Sequence, residues 1–172
     1  SLAGEHVETE AALKASGITY TILRNGWYTE NYTASIPAAL ANNAFYGSAK
    51  NGKISSVLRA ELAEAAVNVA LSEGHENQTY ELAGSTSWTL ADLAAEISKQ
   101  TGKGIPYVDI PAADYAAALV QAGLNEGFAG LIAQWDVDAS NGALFSEDKT
   151  LDKLLGRPTA GLDVAVKQAL DH

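Results

Sequence analysis

The run Ile18–Tyr32, ITYTILRNGWYTENY, limits what this chain can fold into more than any other stretch. Ile18, Tyr20, Ile22 and Leu23 give it the β-branched, aromatic and aliphatic content of a buried strand, set here at Thr19–Leu23. Arg24-Asn25-Gly26 then breaks the strand, and Gly26 is free to take positive φ. Trp27, Tyr28 and Tyr32 follow at once. In an open α/β sheet, ligands sit beyond the carboxyl ends of the strands, so Asn-Gly-Trp-Tyr suits a ligand-facing lip. The same rings suit the roof of a core, and both readings stay open at this point.

The rest of the chain alternates helix and strand. Residues 4–16 read as a helix that opens acidic and stops before Gly17. Residues 35–42 form a short helix with Pro37 in its first turn. AFYGS and KISSV flank Asn51-Gly52, which predicts a β-hairpin. Arg59–Leu71 is a helix with Leu62, Ala65, Ala66, Val69 and Ala70 on one buried face. Gln78–Ala83 is a strand. Thr89 caps a helix running to about Gln100, with Asp92 completing a capping box and Gly102 stopping it. Pro106 makes Ile105–Ile110 an edge strand or a strand start, and helices follow at 112–122, 126–137, 148–155 and 161–170.

Charge narrows the partners. A net charge of −10 argues against nucleic acid and anionic membranes. The absence of cysteine excludes disulfides and thiolate chemistry. No apolar run reaches a membrane span and no signal pattern opens the chain, so the expected location is cytoplasmic. The chain also lacks methionine and starts with Ser1, so either a trimmed initiator or a longer preceding segment is expected to be missing.

Few residues carry chemistry on their own. Gly102-Lys103-Gly104 leaves a helix and enters a strand, the reverse of a dinucleotide fingerprint. His6, His75 and His172 lack metal spacing; His75 reads as a solvated loop residue and His172 as a terminus. His6 has Glu10 one turn along, a carboxylate able to orient an imidazole, although such a surface pair is ordinarily solvated. Asp136, Asp138, Glu147 and Asp148 read as an acidic loop rather than a catalytic carboxylate pair.

From EHVETEAALKASGITYTILRNGWYTENY onward the chain resembles the NmrA-like branch of the atypical short-chain dehydrogenase/reductases. Within it, the likeness is to the bacterial NAD(P)H:quinone oxidoreductase and triphenylmethane reductase group. The likeness continues through the 44–57 segment, Arg59-Ala-Glu-Leu-Ala, GHENQTYELAG, Trp88-Thr-Leu and LDKLLGRPT. It implies an α/β chain forming the C-terminal part of a Rossmann-type fold, with two sheet strands, a small substrate lobe and a helical tail. Residues 1–34 and 60–88 would complete the NAD(P)-binding domain, and 35–59 and 89–172 would form the substrate lobe. The GxxGxxG half, on the order of 100 residues, would lie upstream.

The resemblance also implies roles. His6 stands where relatives keep a catalytic lysine, and it lacks that residue's permanent charge. Asn25, Gly26 and Trp27 would lie against the nicotinamide of NADP or NAD, with NADPH favoured. Tyr28, Tyr32 and Phe45 would hold an aromatic or quinone acceptor. Tyr46, Phe128 and Trp135 are further candidates for the far wall, with core packing the preferred reading for Trp135. The implied reaction is hydride transfer to a quinone or similar conjugated acceptor, in a possible homo-oligomer without metal, nucleic acid or membrane. The alternative is a redox-sensing regulator that binds dinucleotide without catalysis.

Overall fold

A computed structural model describes residues 2–171, and His172 lies outside the described residues. The chain opens with α1 (Leu2–Ala15), which ends before Gly17 at φ +75°. Strand β1 (Thr21–Asn25) follows, and then two short helices, α2 (Glu30–Thr33) and α3 (Ile36–Asn42). Next come β2 (Phe45–Gly47), α4 (Arg59–Leu71), β3 (Gln78–Leu82), α5 (Leu90–Thr101) and β4 (Tyr107–Asp109). The tail holds α6 (Ala112–Gln121), α7 (Glu126–Ser140), α8 (Thr150–Leu155) and α9 (Leu162–Leu170).

β1 and β3 pair in parallel, from Thr21 opposite Gln78 to Asn25 opposite Leu82. β1 therefore starts two residues later than its composition suggests. Asn77 N–H bonds the Tyr20 carbonyl at 2.6 Å, and the ladder can begin only where Gln78 offers a partner. The crossover between the strands contains α4, as a parallel connection requires.

The expected hairpin is not formed. Its turn exists, closed by Gly52 N–H to the Ala49 carbonyl at 2.8 Å with Lys50 at φ +50°. Its arms, however, take other partners. Phe45–Gly47 pairs in parallel with Tyr107–Asp109, while Ile54 bridges Trp88 and Val57 bridges Tyr28. Both arms are mostly buried, so each needs its own cover, and distant segments supply it. A local turn signal fixes the bend but not the partners of the strands.

Most helix ends follow the sequence, although α7 runs on to Ser140 rather than stopping at 137, and β4 covers only Tyr107–Asp109 of the expected 105–110. Thr89 and Asp92 form the full capping box of α5, with Thr89 N–H to Asp92 Oδ2 at 2.8 Å and Asp92 N–H to Thr89 Oγ1 at 3.2 Å. Gly102 at φ +70° closes the same helix. On α4, Leu62, Ala65 and Val69 are buried, whereas Ala66 and Ala70 are exposed, so the buried stripe is narrower than expected.

Two hydrophobic clusters result. The larger joins Ile36, Phe45, Ile54, Trp88, Leu90, Leu93, Ile97 and Val166 around β2, β4 and α5. The smaller joins Val57, Leu62, Ala65, Leu82 and Leu151 beside the β1–β3 pair. The tail is fastened to α4 by Glu61, buried and bonded to Arg157 Nη1 at 2.7 Å and Ala160 N–H at 2.8 Å. The blocks RAELA and LGRPT thus meet in space. His75 is also more fixed than a solvated loop residue: its ring lies 2.9 Å from Ser72 Oγ and 2.8 Å from Tyr80 OH. No helix among the described residues is long and apolar enough to cross a membrane.

Candidate active site

Two cavities share one wall. The first, of about 430 Å³, opens at the carboxyl ends of the parallel pair. It is lined by Arg24, Asn25, Gly26, Leu82 and Ala83, with Ser55 and the 143–148 loop opposite. That loop is held by Ser55 N–H to the Leu144 carbonyl at 2.9 Å and Ser55 Oγ–H to the Ser146 carbonyl at 2.8 Å. The second cavity, of about 550 Å³, is lined mainly by aromatic and aliphatic side chains, among them Tyr32, Phe45, Tyr115, Phe128 and Trp135. Trp27 lines both.

Gly26 makes this placement possible, though not by positive φ, which it does not adopt. Its amide donates to the Leu82 carbonyl at 2.8 Å, so the backbone runs hard against β3. A Cβ there would lie 2.4 Å from the Leu82 oxygen, a backbone atom that cannot step aside. Gly26→Ala should therefore cost about 2 kcal/mol and displace Trp27. Gly130, inside α7 with open space around its Cα, provides the contrast. Gly130→Ala should stabilise by about 0.5–1 kcal/mol, and urea titration of both variants in the full-length protein provides the comparison.

The rings meet edge to face. Trp27 and Trp135 have centroids 5.1 Å apart at 71°, Phe128 and Trp135 6.1 Å apart at 82°, and Tyr32 packs on Trp88 at 5.2 Å and 85°. This arrangement leaves flat faces and edges for a planar guest. Trp135, expected in the core, thus stands in the cavity wall. Among the described residues, three polar atoms of the cavity lining are buried without a hydrogen-bond partner: Trp27 Nε1, Tyr32 OH and Glu30 Oε2. Buried polar groups are normally paired, so two unmet donors in an apolar cavity suit a guest that brings a carbonyl oxygen.

Other expected site residues lie elsewhere. Tyr28 lines neither cavity; it follows Trp27 in extended chain, so its ring turns to the opposite side, beneath Arg59 at 4.5 Å. Tyr46 is exposed on the outer side of β2. His6 is exposed on α1 and lines neither cavity. Its neighbour Glu10 is taken by Arg24, whose Nε and Nη2 each approach the carboxylate to 2.7 Å. Arg24, with Lys14 assisting, holds the Glu10 carboxyl down at about 2.

The residue least visible in the sequence is Asp136. Far from lying in an acidic loop, it is on α7, buried, and part of the wall of the larger cavity. Ser48 N–H donates to its Oδ2 at 2.7 Å. Burial nevertheless lifts its pKa to about 6, with Asp109 adding like-charge repulsion. The same burial pushes the Tyr32 and Tyr115 hydroxyls above the usual tyrosine range, and Asp136 adds to both.

Parallel strand ends facing a cavity, with a helix-covered lobe beyond, define the C-terminal part of a Rossmann-type α/β protein. No family model matches the chain. Quinone oxidoreductase 2 of Escherichia coli strain K12 is 54% identical over 165 residues, 96% of this chain and 58% of that protein. The structure of an E. coli NADPH-dependent quinone oxidoreductase complexed with NADPH superposes with a TM-score of 0.93 at 52% identity, covering 99% of this chain and 60% of that one. Citrobacter sp. triphenylmethane reductase gives a TM-score of 0.95 at 35% identity, again over 99% and 60%. The chain spans about three-fifths of the length of these relatives. It belongs to the NmrA-like branch of the short-chain dehydrogenase/reductases, in the quinone oxidoreductase and triphenylmethane reductase group.

Proposed function

We propose that this chain is the substrate-side part of a cytosolic NAD(P)H-dependent oxidoreductase that passes hydride to a quinone or similar conjugated acceptor. The observation that carries this reading is the single indole, Trp27, standing between a cavity at the strand ends and an aromatic-lined cavity. Hydride transfer needs donor and acceptor rings side by side, and a shared wall provides that proximity. NADPH is the favoured donor, because a relative's structure holds it.

In this reading Asn25, Gly26 and Trp27 border the nicotinamide. Asn25 offers its amide to the carboxamide or ribose, and Trp27 offers a face. Tyr32 and Phe45 border the acceptor. Residues 1–34 and 60–88 belong with the nucleotide-binding part and 35–59 and 89–172 with the acceptor lobe.

Mixing the full-length protein with NADPH and a benzoquinone tests the reading. The expected result is loss of the reduced-nicotinamide absorbance at a rate proportional to enzyme. NADPH binding without any such loss would overturn it in favour of a redox-sensing regulator.

A further inference from the structure

The proposed hydride transfer leaves one buried group without a part to play. Asp136 is 4% exposed and lines the acceptor cavity. Among the described residues it forms no salt bridge and accepts one hydrogen bond, from Ser48 N–H at 2.7 Å. The titratable groups facing it are Tyr32 on α2, Tyr115 on α6, and Tyr107 and Asp109 on β4. None of them is a cation. Gly47 on β2 leaves the carboxylate close access to the backbone, since a Cβ there would lie 2.8 Å from Oδ2. An unpaired carboxyl group in an apolar wall is costly as an anion and far less costly as an acid.

We infer that Asp136 is the proton donor to the acceptor bound in this cavity. The inference rests on the quinone-reductase reading. Hydride from NADPH adds to the quinone, giving NADP⁺ and a hydroquinone monoanion. The Asp136 carboxylic acid then breaks its O–H bond and gives that proton to the anionic oxygen. Neutral hydroquinone and the Asp136 carboxylate result, and water returns a proton to the carboxylate. The unmet Trp27 Nε1–H and Tyr32 O–H share the cavity and can hold the same oxygen while its charge develops. A pKa near 6 suits the task, because a phenol-type oxygen (pKa about 10) takes the proton downhill and the acid is still populated near neutrality.

Asp136→Asn in the full-length enzyme tests the assignment with two acceptors. A benzoquinone needs hydride and a proton. A cationic triphenylmethane dye needs hydride alone, because its reduced product is neutral. With the quinone, the wild-type turnover should fall roughly tenfold per pH unit above 6, and the variant should be about 10²-fold slower at pH 6 with a flat profile. With the dye, turnover at saturating concentration should not show that tenfold fall above pH 6 in either protein, because no proton is delivered. In the enzyme without NADPH, carboxyl carbon NMR should show a resonance titrating near 6 that the variant lacks. Equal losses with both acceptors would reduce Asp136 to a packing residue, and an unchanged quinone profile would overturn the assignment alone. A wild-type protein that reduces no quinone at all would overturn the functional reading with it.

Discussion

Truncating Trp88 to Ala should lower the unfolding free energy by about 3–5 kcal/mol. The ring is 7% exposed, belongs to the larger hydrophobic cluster and meets Tyr32 edge to face at 5.2 Å. Removing it leaves a void bounded by side chains that cannot all collapse inward, because the Trp88 backbone is itself fixed. It exchanges hydrogen bonds with Ile54 at 2.8 and 3.1 Å. Against a total stability of about 5–15 kcal/mol this is a large fraction. Trp88→Phe keeps an aromatic edge for Tyr32 and should lose under half as much. Urea unfolding of both variants in the full-length protein provides the comparison. A Trp88→Ala loss below about 1 kcal/mol would mean that the ring is not close-packed. Tyr32 lines the larger cavity, so in the proposed reading the Ala variant should also lose acceptor affinity.

Replacing Asp136 by Asn should act in the opposite direction, and only above acid pH. The folded-state pKa is about 6, raised from an ordinary value of 3.8. Below about pH 4 both folded and unfolded chains hold the proton and the shift has no effect. Between pH 4 and 6 the unfolded chain releases its proton first, so wild-type stability falls as pH rises. The fall is complete above pH 6 and amounts to about 3 kcal/mol, two pH units at about 1.4 kcal/mol each. Asn has no proton to release. The gain of the variant over wild type should therefore be about 3 kcal/mol larger at pH 8 than at pH 4 in urea titrations. A gain that does not change with pH would show that Asp136 titrates at its ordinary value. Together with the slower quinone reduction expected of the same variant, this would make Asp136 a site where stability is sacrificed for activity.

Much of the framework is legible because it depends on neighbours in sequence. The ends of α4 fall at Arg59 and Leu71 as the apolar spacing predicts, and Thr89, Asp92 and Gly102 bracket α5 by local hydrogen bonds and one left-handed residue. The parallel β1–β3 pair follows from strand composition and the helix between its strands. What escaped depends on distant partners. Asn51-Gly52 turns the chain, but only β4 and Trp88 determine where the two arms go.

The site divides in the same way. Trp27, Tyr32 and Phe45 could be singled out by ring chemistry beside a strand end, and all three line the larger cavity. Tyr28 differs from Trp27 only in the direction its side chain points. Asp136 looked like one acid among several, because its burial is created by β2, β4 and α6 closing around α7. A signal did exist: it falls between Ala133 and Ala139 on the buried face of α7, a place where a charged side chain is out of pattern.

The shared indole has a thermodynamic corollary. A guest on one side of Trp27 that tilts the ring must change the free energy of docking on the other side, and by reciprocity the effect is equal in both directions. In the proposed reading, dinucleotide and acceptor therefore cannot be tuned separately at this position: a bulkier dye admitted by a rotated ring also changes nicotinamide affinity.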